Sequence, residues 1–176
     1  MECNDRGKRP LSIYPAATDT SHAPVIFLLS GDEDGEKAWK SAQELAKRPF
    51  SLTVVGIDDW NRDLSPWAAK SVFRGGEEFG GGADELLGEL EGEIVPSVMK
   101  GLRADAPCIL AGYSLAGLCA VYALYRTRVF SGVISDRALC GSLALWTIRE
   151  PMILRASPTG STFRWGTKKA IRRTQP

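Results

Sequence analysis

Six consecutive residues, Gly112-Tyr113-Ser114-Leu115-Ala116-Gly117, carry the pattern in this chain best suited to covalent chemistry. They follow the apolar run Cys108-Ile109-Leu110-Ala111 and open an apolar stretch from Leu115 to Val129. A serine between a buried strand and a buried helix, with small residues two positions away on each side, fits a nucleophile elbow. Such a turn strains the serine backbone and lifts Oγ off the carboxyl edge of a sheet. Ala116, backed by Gly117, stands where a second glycine is usual. The Leu115 N–H, at the start of the helix, would face a developing oxyanion. The second donor is expected from the loop after the first core strand, where Ser30, Gly31 and Asp32 stand. The competing reading of Ser114 is a plain helix N-cap.

A serine hydroxyl needs a base to become a good nucleophile. Proteins built on this elbow order their triad as serine, acid, histidine along the chain. Here the one histidine, His22, precedes the serine. It also precedes the first core strand, at the amino edge of the sheet. Five strand residues, roughly 16 Å, then separate it from an elbow that it must approach to about 3 Å. Asp136 and Glu150 are the acidic residues after Ser114. Asp136 reads as a loop carboxylate ending a strand, and Glu150 lies in an unpatterned tail. The expectation is therefore a well-placed serine without its base and acid.

Other constellations point to less. Asp58, Asp59 and Asp63 follow a strand end, but no histidine joins them, and no metal is expected. Gly75, Gly76, Gly80, Gly81 and Gly82 lack the spacing and lysine of a phosphate loop and read as a flexible loop. Cys3, Cys108, Cys119 and Cys140 form no CxxC pair, so zinc is not expected, and Cys108 and Cys119 read as small core residues. No cofactor is implied. Trp60 and Trp67 could line the rim of a substrate pocket or simply pack their loop.

The elements that must position these residues are legible as apolar runs. Val25 to Leu29, Phe50 to Ile57, Cys108 to Ala111 and Gly132 to Ser135 read as strands of a parallel sheet. Strand spans near 24–29, 50–57, 106–111 and 131–135 are expected. Residues 35–48 read as a helix with Ala38, Trp39, Ala42, Leu45 and Ala46 on one face. Residues 83–103 read as a second helix, which Pro96 should kink or split. Leu11 to Tyr14 is a candidate edge strand, and residues 58–82 are expected to be a long irregular stretch. The alternation of strand and helix predicts an α/β fold with a mostly parallel sheet and helices on both faces.

The chain of 176 residues suits one domain, at 44% hydrophobic and 24% charged residues. Its net charge of +1 conceals a sharp division. Residues 1–136 carry 14 Lys/Arg against 20 Asp/Glu, whereas residues 137–176 carry 8 Lys/Arg against Glu150 alone. The charged start reads as a disordered polar lead over 1–10, followed by a core over 11–136, and the charge division predicts a basic tail of doubtful structure over 137–176. Trp165 among its cations gives the tail a superficial likeness to a nucleic-acid binder, but without a fold signature no nucleic-acid partner is expected. No apolar h-region or membrane-length run is visible, so a cytoplasmic, membrane-free location is expected.

The stretch Val25–Asp34, the segment Asp59-Trp60-Asn61-Arg62-Asp63-Leu64-Ser65-Pro66-Trp67, the glycine-rich Phe73–Asp84 and the elbow from Gly112 to Tyr125 together resemble an esterase family of the α/β-hydrolases. Its relatives include esterase D and enterochelin esterase, and the resemblance covers about residues 11–135. It implies hydrolysis of a small-molecule carboxylic ester with Ser114 as nucleophile. It also implies a downstream Asp and His, so the chain reads as a partial α/β-hydrolase with later strands missing, C-terminally truncated or frameshifted. A shifted reading frame through Phe163–Lys169 permits Ser-Leu-Gly-Asp-Lys-Glu, which resembles the acid-bearing turn of that family; the coding DNA decides this. The alternatives are a non-catalytic remnant or small-molecule binding module, and an acyltransferase on the same elbow. Ending the sheet early would leave an edge open to self-association.

Overall fold

The structure, a computed structural model, describes residues 9–16, 23–31, 35–71, 74–102, 105–136, 152–155 and 164–165. The core strands are β1 (Leu11–Tyr14), β2 (Val25–Ser30), β3 (Ser51–Gly56), β6 (Cys108–Tyr113) and β7 (Gly132–Asp136). Two further strands, β8 (Met152–Arg155) and β9 (Arg164–Trp165), complete a seven-stranded sheet of order β1-β3-β2-β6-β7-β8-β9. β3, β2, β6 and β7 run parallel, and β1, β8 and β9 are antiparallel additions. The expected alternation thus stands as an α/β fold with a mostly parallel sheet.

The parallel centre follows from side-chain pattern. Val25, Phe27 and Leu29 of β2 and Leu110 of β6 are buried among Leu86, Leu87, Leu90, Cys119 and Ala123. Those partners lie on α3 (Ala83–Glu89), the following π-turn Leu90–Ile94, and α5 (Leu115–Arg126). The expected second helix is therefore three segments, ending in α4 (Val95–Gly101). Proline tolerates an early helical position because its missing N–H is not needed there. Pro96 occupies such a position in α4. The wider π-turn also absorbs the roughly 40° that each four-residue step adds in a regular α-helix. Leu90, Ile94 and Val98 consequently stay on one buried stripe.

α1 (Gly35–Leu45) differs from expectation. Its contacts are made near its start: a Cβ on Gly35 would lie 3.3 Å from the Tyr14 hydroxyl and from Val54, and Trp39 stacks on Tyr14 at 5.5 Å. Leu45 is 82% exposed, and Ala46 lies beyond the helix end and is exposed too. The helix is buried or half-buried at Gly35, Ala38, Trp39 and Ala42 and exposed from residue 43 on.

The stretch 58–82 is built rather than irregular. α2 (Trp60–Asp63) and a small hairpin of β4 (Ala68–Ala69) and β5 (Phe79–Gly80) lie within it. Gly80, Gly81 and Gly82 do not behave as a flexible loop. A Cβ on Gly80 would come within 2.7 Å of Arg62 Cγ, and one on Gly81 within 2.6 Å of Ala68 N. Gly81 also has φ +76°. Gly81 and Gly82 stand where backbone passes against backbone, and Gly80 where the base of the Arg62 side chain lies against it.

The tail, which reads as unpatterned, contributes β8 and β9, and β8 pairs with the outer edge of β7. The edge expected to be left open after β7 is thus covered. Residues 1–8 of the expected lead lie outside the described residues. Arg9 is held firmly, by Asp63 at 2.9 Å and Glu89 at 2.7 Å. No helix among the described residues is long and apolar enough to cross a membrane.

Candidate active site

β6 delivers Ser114 to the carboxyl edge of the sheet, and α5 begins on the next residue. Ser114 has φ 56° and ψ −119°, and is the one non-glycine residue with positive φ among the described residues. That conformation costs of order 1–3 kcal/mol for a side-chain-bearing residue. An N-cap serine instead takes extended dihedrals and bonds the first turn. The Ser114 hydroxyl makes no capping bond, which removes the plain-cap reading.

Three contacts hold the strained turn. The Ser114 N–H donates to the Asp136 carbonyl at 2.9 Å, and the Leu118 N–H donates to the Ser114 carbonyl at 3.1 Å. A Cβ on Gly112 would lie 2.3 Å from the carbonyl carbon and oxygen of Ala116. The first small position is therefore obligatory, whereas a methyl group at Ala116 fits fully buried. Gly117 explains the displaced second glycine. A Cβ there would meet Ser135 Oγ at 2.7 Å and the Asp136 carbonyl oxygen at 3.2 Å. The end of β7 is thus part of the turn, a role that sequence reading missed. Its signal was positional: β7 is the next parallel strand after the elbow.

The expected oxyanion donors fall on the same edge. Leu115 is the first residue of α5, so its N–H has no partner one helical turn back. Ser30 ends β2, and its carbonyl accepts from the Ile57 N–H at 3.1 Å. β2 and β6 pair in register as far as Leu29 opposite Gly112, so Gly31 and Ser114 each follow the carboxyl end of one of two neighbouring strands. The side of Gly31 where a Cβ would project is open, with nothing within 4 Å. Asp32 lies outside the described residues.

The tryptophans separate. Trp60 is half-buried against the core, and Trp67 is 54% exposed. A cavity of about 740 Å³ is lined by Arg9, Asp58, Asp63, Glu89 and Glu93 among others, but by neither tryptophan and not by Ser114. Two of the three aspartates near it serve the backbone or an ion pair. Asp59 caps α2 by accepting from the Arg62 N–H at 3.0 Å, and Asp63 binds Arg9. Burial works to lower the Arg9 pKa, but its bonds to Glu89 and Asp63 outweigh that and raise it.

The acid and base candidates are spread out. Asp136 is half-buried at the end of β7 and touches the site through its backbone. Its register partner is Tyr113, which is 52% exposed. His22 and Glu150 lie outside the described residues. Pro24, two residues after His22, accepts from the Ser51 N–H at the amino edge, opposite the elbow. Cys119 is a core residue whose thiol burial pushes up to about 12, and burial also raises that of Cys108.

A family model described as "Putative esterase" matches residues 6–173. The uncharacterized protein YbbA of Bacillus subtilis is 24% identical over 144 residues, which are 74% of this chain and 56% of that protein. Among solved structures, an IroE-like serine hydrolase from Shewanella oneidensis is 26% identical with a TM-score of 0.57, covering 71% of this chain and 44% of its own. The siderophore hydrolase EstB of Aspergillus nidulans shares the fold at 21% identity and a TM-score of 0.53, covering 76% and 52%. The chain thus spans about half the length of these relatives. With the elbow on a mostly parallel sheet and a family match across nearly its whole length, the chain belongs to this esterase family of the α/β-hydrolase fold.

Proposed function

We propose that this chain carries the nucleophile half of a serine esterase site acting on small-molecule carboxylic esters. The strained backbone of Ser114, at φ 56° with an uncapped hydroxyl, is the observation that supports it. Ser114 Oγ attacks the ester carbonyl carbon, and the carbonyl electron pair moves onto oxygen. The N–H of Leu115 and the backbone at Ser30–Gly31 receive that oxyanion. Collapse expels the alcohol and leaves an acyl-serine, which water then hydrolyses. Trp60 and Trp67 form part of the rim on which the ester rests. The core of residues 11–136 holds this half-site, and residues 137–176 form a basic extension of it.

The hydroxyl proton must go to a base, and no histidine follows Ser114 in these 176 residues. On these residues alone the site is therefore impaired as an esterase. Loss of triad members costs several orders of magnitude in rate, with residual catalysis from the oxyanion hole and binding. The one histidine, on the far side of the first core strand, favours a second reading as a non-catalytic binding module that keeps the pocket. Acyl transfer would use the same acyl-serine with a different acceptor.

Reaction with a fluorophosphonate distinguishes these readings. The expected result is slow, incomplete labelling at Ser114 that is lost in Ser114→Ala and accelerated at least tenfold by added imidazole, an external base. Fast stoichiometric labelling without imidazole would refute the impairment. No labelling even with imidazole would favour the binding module.

A further inference from the structure

We infer that Ser135 is a positioning residue for the elbow, setting through its size how closely the first turn of α5 sits on the end of β7. The inference rests on Ser114 being the reactive position. Ser135 is fully buried, and its Oγ has no hydrogen-bond partner among the described residues. A buried hydroxyl without a partner carries a desolvation penalty and returns no bond energy. What Ser135 does provide is a small side chain beneath Gly117. An added Cβ on Gly117 would meet its Oγ at 2.7 Å, closer than Cβ atoms come to other atoms. The same strand end supplies the Asp136 carbonyl that accepts the Ser114 N–H at 2.9 Å. In register, Ser135 stands opposite Gly112, the other glycine on which the turn depends.

Ser135, Gly117 and Gly112 thus form one layer in which strand, helix and strand meet with almost no side-chain volume between them. Extra volume at Ser135 or Gly117 pushes α5 off β7. That lengthens the bond from Ser114 to Asp136 and turns the residue 114 dihedrals, which re-aims the Leu115 N–H relative to the residue 114 side chain. Such a displacement alters the electrostatics at position 114 even where the fold survives.

A thiol at position 114 reads this directly, because a helix N-terminus lowers a cysteine pKa below its ordinary value near 8.5. In full-length Ser114→Cys, the pH dependence of iodoacetamide alkylation at the introduced thiol would be followed by mass spectrometry. Cys108 and Cys119 are buried with raised pKa values, and the peptides of Cys3 and Cys140 are resolved by mass from that of position 114. Every variant also carries Asp136→Asn, which removes the neighbouring carboxylate while keeping the backbone carbonyl that accepts the residue 114 N–H. Adding Ser135→Val, or independently Gly117→Ala, should slow alkylation at pH 7 at least threefold and move the midpoint of the profile upward. Combining Gly117→Ala with Ser135→Ala removes the closest collision, that with Oγ, and leaves the backbone oxygens of Gly112 and Asp136 at 3.1 and 3.2 Å, so it should reverse most of the shift.

A profile unchanged by Gly117→Ala, or a shift that the double variant fails to reverse, overturns the proposal. If Ser135→Val does not fold by circular dichroism, the Gly117→Ala pair decides. The readout uses no esterase chemistry. Failure of the fluorophosphonate reaction and failure of this positioning role are therefore separate results.

Discussion

At the scale of single residues, the site depends on groups defined by what they leave empty. Gly112 admits the Ala116 carbonyl to a distance that any side chain would forbid. Replacing it with alanine puts a Cβ against helix backbone, which cannot swing aside as a side chain would. Gly112→Ala is expected to cost about 3 kcal/mol or more, read as a lower urea midpoint with unchanged slope. Gly88, whose added Cβ would meet nothing within 4 Å, is the control. Gly88→Ala is expected to be neutral or stabilising, because alanine favours a helix interior by about 1 kcal/mol. The serine and its two small neighbours were legible because a six-residue pattern lay between two apolar runs. The Asp136 carbonyl and Ser135 were not, because a backbone acceptor is the same in every residue type and a buried serine is an ordinary strand residue.

At the scale of elements, the long connection after β3 is organised by Ser65. Its hydroxyl donates to the Asn61 carbonyl at 2.8 Å and accepts from the Gly81 N–H at 2.7 Å. Its own carbonyl accepts from the Ala83 N–H at 3.1 Å, where α3 begins. One residue thus ties α2, the hairpin beside Trp67 and the start of α3. Ser65→Ala is expected to cost about 1–2 kcal/mol and to speed amide exchange at Gly81 well beyond that at Leu86. Equal acceleration at both amides would show a general loosening instead. The central strands and helices could be anticipated because burial on both faces writes a continuous apolar run. The hairpin could not, since its glycines signal close approach and flexibility with the same letters. Leu45 misled for a related reason: a helical face is periodic whether or not the sheet extends beneath it.

At the scale of the molecule, the sheet has one well-defined rim at β1, where Leu11 is 38% and Ile13 47% exposed. Exposed apolar residues on an edge strand invite pairing between chains. Self-association through this rim is expected, seen as a sedimentation coefficient that rises with concentration. Ile13→Lys should flatten that dependence, because a lysine on an edge opposes strand addition. A dependence untouched by the substitution would place association elsewhere. The opposite side of the parallel block has a different character. β8 occupies the outer ladder of β7, antiparallel, from Gly132 opposite Arg155 to Ser135 opposite Met152. A strand delivered in trans would find that socket plugged. It could dock only by strand exchange, and its rate of docking would then be capped by how fast β8 lets go.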